Sequence, residues 1–97
     1  MSLSIADQYY LKAVDQYHYD MESFVENINY ALGYDSEHAG ANYMMGLLYM
    51  EQFKEFGYAE LYFQNALASQ PDHLNTCRDY STMLIRMQEY DLSLIHI

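Results

Sequence analysis

Apolar positions recur every three to four residues along almost the whole chain, and no Val/Ile/Thr alternation is long enough to make a strand. The rhythm predicts helices near 4–17, 21–34, 39–52, 56–69, 73–86 and 90–97. Breaks fall at His18-Tyr19-Asp20, at Gln52-Phe53-Lys54-Glu55 and at Met87-Gln88-Glu89, which read as turns within helical hairpins. Asp35-Ser36-Glu37-His38 and Gln70-Pro71-Asp72-His73 read as links from one hairpin to the next. Connections this short leave antiparallel neighbouring helices as the simplest packing, so the fold class is all-α.

The pattern also repeats. Tyr10-Leu11 followed by Val14 lies over Met45-Gly46 followed by Tyr49, and over Tyr80-Ser81 followed by Leu84. Met21, Phe24, Ile28 and Ala31-Leu32 correspond to Phe56, Ala59, Phe63 and Ala66-Leu67, a step of 35 residues. A last copy restarts at Tyr90, with Ser93 and Ile97 in the following slots, 34 residues on from the second. Repeats of this length are stacked supersecondary units, each unable to bury its apolar face alone.

The middle copy resembles the tetratricopeptide repeat family. Met45-Gly46 and Tyr49, then Phe56, Ala59, Phe63, Ala66-Leu67 and Pro71, fall at that family's spacing. Small residues such as Gly46, Ala59 and Ala66 suit close helix approach, and Tyr49, Phe56 and Phe63 fill the wider gaps. Pro71 ends the second helix, because proline cannot continue the hydrogen-bond ladder. The copies depart from the pattern in places. Asn42 and Cys77 stand where a large residue is usual, and Phe24 where a small one is. One extra residue sits in the first two turns, and the usual turn glycine is missing.

The resemblance implies a short right-handed α-solenoid of antiparallel helix-turn-helix repeats, near 4–36, 39–71 and 73–97, the last truncated, in a single domain. It also implies a concave groove lined by the first helices. Gln8, Lys12, Asp15 and Gln16 would face it from the first copy, and Tyr43, Leu47, Met50 and Glu51 from the second. Asn75, Arg78, Thr82, Ile85 and Arg86 would come from the third. Tyr43, Leu47, Met50 and Ile85 make an apolar strip, with Tyr43 the expected anchor for a partner and Met50 adaptable in shape. Lys12, Arg78 and Arg86 are three of only four cations in the chain. They could clamp an acidic or C-terminal carboxylate end. Against this, Arg78 and Arg86 could pair with Asp79, Glu89 or Asp91 nearby, as surface arginines commonly do. The Lys/Asn/Arg carboxylate clamp of the family's chaperone-binding members is not reproduced, since Tyr9 or Gln8, and Ala13 or Lys12, occupy its places.

Charge narrows the partner. Fourteen acidic residues against four basic ones give a formal net charge of −10, which repels phosphate backbones and anionic lipid. A protein or peptide partner is expected, with basic segments favoured, and no nucleic acid or membrane. The chain shows neither a signal peptide nor an apolar run of membrane-spanning length, and lone Cys77 asks for no oxidising compartment, so the expected setting is cytoplasmic. The apolar ending Leu94-Ile95-His96-Ile97 is what a piece of a longer protein would show. Leu92, Ile95 and Ile97 make self-association through that end the alternative to partner binding.

No enzyme, cofactor or metal is expected. His38 and His73 are 35 apart in equivalent links, where a polar residue before a helix is ordinary. His18 lies in a turn and His96 near the end; no pair has i, i+4 ligand spacing. Cys77 occupies a packing slot. Glu22/Glu26 and Glu51/Glu55 read as solvent-facing i, i+4 pairs. The twelve tyrosines exceed what a core of this size holds, so most should half-bury a ring and keep the hydroxyl wet.

Overall fold

In the computed structural model the backbone is described for residues 3–95 and side chains for residues 3–89. The helices are α1 (Ile5–Gln16), α2 (Met21–Tyr34), α3 (Ala39–Leu48), α4 (Phe56–Ser69) and α5 (Leu74–Ile95), with a π-helical turn, Tyr49–Phe53, continuing α3. The fold is all-α among the described residues. Helix α1 packs on α2 and α3 on α4, while α3 also touches α2, α1 and α5. Thus α3 is the one helix in contact with every other hairpin element on either side.

The 35-residue period is visible in the helix ends. Helices α2 and α4 start and stop 35 residues apart, with Asp35 and Gln70 as their C-caps. Each closing N–H donates to an alanine carbonyl, Ala31 in one and Ala66 in the other. Pro71 follows directly, as the sequence leads one to expect. Ser4 opens α1 with a reciprocal capping box to Asp7, His38 caps α3, and Asp20 caps α2.

The third copy differs from expectation. Where a turn at Met87-Gln88-Glu89 and a sixth helix from Tyr90 are predicted, α5 continues unbroken for 22 residues. No glycine or proline interrupts this stretch, so nothing in the local backbone chemistry stops the helix. In the first two hairpins the break is made by residues in the left-handed region: His18 at φ 72° and Lys54 at φ 56°. The expected apolar face of Leu92, Ile95 and Ile97, and His96, lie outside the described side chains.

The core is one cluster running from Ala13, Phe24 and Ile28 through Met44, Met45 and Leu48 to Phe63 and Met83. Phe24, Ile28, Ala31, Ala59, Phe63 and Ala66 are fully buried, so the second-helix pattern read from the sequence faces inward. Asn42, standing where a large apolar residue is usual, is also buried. Its Nδ2 donates to the carbonyls of Ser36 (3.1 Å) and His38 (3.0 Å), so it tethers the link rather than filling the core.

Gly46 sets the approach of α3 to α4. A Cβ there would lie 2.5 Å from the Phe63 ring and 3.2 Å from the Ala59 carbonyl oxygen. Neither neighbour has room to give, since both residues are fully buried. Gly46→Ala should therefore lose stability: overpacking costs about 1–3 kcal/mol against a helix-propensity gain of about 1 kcal/mol. Gly57→Ala, where a Cβ meets nothing within 4 Å, should be neutral or stabilising. Urea unfolding of the two variants checks the contrast.

Candidate functional site

The face to examine is the one shared by α1, α3 and α5. Helix α3 touches both of the others, and polar contacts join it to α1 at one end and to α5 near their starts. Near their C-terminal ends, the Tyr17 hydroxyl reaches the Glu51 carboxylate (2.8 Å) and the Leu47 carbonyl (3.4 Å). Near their starts, the Tyr43 hydroxyl donates to the Asp79 carboxylate at 2.5 Å. Burial and the adjoining carboxylates push both phenols upward, so each stays a donor at any ordinary pH.

Tyr43 overturns the expectation that it anchors a partner. Only 6% of it is exposed. Its ring lies between Phe63 (centroids 6.1 Å) and His73 (5.5 Å), and its hydroxyl is taken by Asp79. It is an interhelical packing residue joining α3 to α5. The sequence could not separate the two roles, because both require a tyrosine at that helical position.

The other expected contact residues divide. Lys12 is exposed on α1, its Nζ 5.2 Å from the centre of the Tyr9 ring. Leu47 and Met50 are half-buried on the edge of the core, and Ile85 and Arg86 are exposed on α5. Arg78 pairs with its neighbour: Nε lies 3.2 Å from the Asp79 carboxylate, which raises the guanidinium's already high pKa. The pairing foreseen as the rival to a carboxylate clamp is thus present at Arg78. The guanidinium stands largely in solvent, so the pair is worth little.

The π-helical turn alters the end of this face. The N–H groups of Lys54 and Glu55 both converge on the Tyr49 carbonyl. Such a turn holds one residue more than an α-turn, which accounts for an extra residue being accommodated there. It also breaks the expected i, i+4 relation of Glu51 and Glu55: Glu51 sits in the π turn and Glu55 is the residue before α4.

At the opposite edge the links carry a side-chain network that sequence reasoning took for ordinary capping. His38 Nδ1 accepts from the Ala41 N–H (3.0 Å), so Nε2 carries the proton and donates to Asp7 (2.7 Å). One imidazole therefore caps α3 and ties it to α1. His73 places Nδ1 2.7 Å from the Thr76 hydroxyl at the start of α5. The two histidines line one open depression of about 500 Å³ with Asp7, Asp35 and Glu37. Among the described residues no group of three or more His, Cys, Asp or Glu converges as metal ligands. Cys77 is half-buried, its Sγ 3.8 Å from the Pro71 carbonyl. No helix among the described residues is long and apolar enough to cross a membrane.

Comparison with protein-family models, with curated proteins and with solved structures finds no match to this chain.

Asp7 gives the site a defined acid response. The His38 hydrogen bond first, then those from Ser4, hold its carboxyl below the ordinary value of 3.8. A depressed carboxyl stabilises the fold fully above the unfolded pKa and loses that contribution as pH falls through the folded one. Asp7→Asn should flatten the decline in stability between about pH 5 and pH 2, measured by urea unfolding.

Proposed function

We propose that this chain is a protein-binding module that takes a peptide or helix of another protein on the face formed by α1, α3 and α5. The observation that carries the reading is that α3 touches both α1 and α5, so that the three first helices adjoin. The 35-residue recurrence of helix bounds and of the buried alanine pair Ala31/Ala66 supports a tetratricopeptide-like stack. In such a stack the first helices approach one another more closely than the second helices do, leaving the first-helix face concave. Lys12, Leu47, Met50, Ile85 and Arg86 are the contact residues of this reading, with Arg78 presented as an ion pair and Tyr43 as support beneath.

The test is a selection of short peptides by display on the whole chain, followed by nuclear magnetic resonance mapping. Bound peptides should shift amides on the shared face of α1, α3 and α5. The double variant Ile85→Asp, Arg86→Glu should weaken them on the order of tenfold or more, because contact energy concentrates in few residues. Shifts confined to α2 and α4, with unchanged affinity in the variant, would remove the reading.

A second reading, self-association, is favoured by one observation. Among the described residues, helix α5 runs on where a hairpin is expected, and Leu84 on it is 42% exposed. Sedimentation velocity at rising concentration should then show a dimer that Leu84→Asp abolishes. A sedimentation coefficient independent of concentration would leave partner binding alone.

A further inference from the structure

We infer that the tyrosine cluster Tyr9–Tyr30–Tyr34, at the outer side of the α1/α2 hairpin, is a second docking surface, for an arginine-bearing segment of a basic partner. It adjoins the face described above, sharing Lys12 with it, and reads a different chemistry.

The geometry is of flat, partly open rings beside negative charge. Tyr9 and Tyr34 stack with planes 10° apart and centroids 5.9 Å apart, and Tyr30 closes on Tyr9 at 5.1 Å. Tyr30 and Tyr34 remain 47% and 62% exposed, so each leaves ring surface accessible to solvent. Such rings attract cations through their negative faces. The cluster already does so within the chain: the Lys12 ammonium stands 5.2 Å from the Tyr9 centroid.

Charge complementarity fixes the sign of the occupant. Helix α2 contains no lysine or arginine, while Glu22 and Glu26 are exposed along it. Glu26 accepts the Tyr30 hydroxyl at 3.3 Å, which places a carboxylate at the cluster's edge. Tyr34 is the last residue of α2, and the last turn carries no basic residue. The carbonyl end of a helix favours cations, and here none of the helix's own side chains supplies one. Gly33 is exposed, and a Cβ built on it would meet nothing within 4 Å, so the approach is open. Arginine suits the site better than lysine, because its planar guanidinium can lie on a tyrosine ring while its N–H groups reach a carboxylate. The chain's charge of −10 steers any basic segment toward the protein but does not select this place on it.

The experiment uses the intact chain and a decapeptide of alternating arginine and glycine, at about 150 mM salt so that diffuse attraction is screened. Amide and ring resonances of Tyr9, Tyr30, Gly33 and Tyr34 should shift saturably, and a lysine–glycine peptide of equal charge should bind more weakly. Tyr34→Ala should cost about two- to fivefold in affinity, as expected for one exposed cation–ring contact. Lys12→Met, which vacates the Tyr9 ring, should tighten binding more than Lys54→Met, which changes the net charge equally but lies at a distant turn. Circular dichroism on each variant establishes that the helices are intact, as the exposure of Tyr34 leads one to expect. Equal effects of the two lysine variants, equal affinity for the two peptides, or shifts spread over all acidic surfaces would each overturn the assignment.

Discussion

The approach of α3 to α4 at Gly46 governs the remainder of the architecture. With hydrogen alone at that position, the Phe63 ring can lie against the α3 backbone. Phe63 in turn packs Tyr43 on one side and Tyr80 on the other, which carries the contact across to α5. The same helix meets the first hairpin through Gly40, where a Cβ would lie 2.6 Å from the Tyr10 ring. Two glycines on one helix thus let aromatic side chains from its own hairpin partner and from the preceding hairpin close on it. A helix lined with larger residues would hold those rings away and separate the layers.

The hairpins were legible in the sequence because their cause is periodic. Apolar residues every three or four positions, small residues at Ala31, Ala59 and Ala66, and Pro71 after α4 all act locally. The first four helices accordingly fall within one or two residues of their expected bounds, apart from the π turn. The run of α5 through residues 87–89 was not legible. Met87-Gln88-Glu89 carries polar residues that suit a turn, yet also suit an exposed helix surface, and periodicity alone does not choose. The hairpins that do break place His18 and Lys54 in a left-handed conformation, a backbone feature with no fixed residue signature outside glycine and asparagine.

The candidate face was less legible than the fold, for a related reason. Helical position specifies direction but not depth. Tyr43 and Ile85 were assigned alike, yet the first is covered by α4 and α5 while the second is 57% exposed. The link network was equally hidden. His38 and Asp7 are 31 residues apart, and only the packed structure shows that one ring joins them while capping a helix. By reaching back to Asp7, the His38 cap ties the second hairpin to the one before it.

The two edges of the first-helix face are built differently, and this gives it a polarity. At the link edge, the His38 ring caps the Ala41 N–H of α3 and bridges to Asp7 of α1. At the turn edge, α3 loosens into a π turn whose hydrogen bonds converge on one carbonyl and whose exit runs through a left-handed lysine. A chain laid along α3 would meet an imidazole-capped start at one end and a π-helical turn at the other. Reversing such a chain would not reproduce the same contacts, so on the proposed reading the surface would distinguish heads from tails before any side chain is matched.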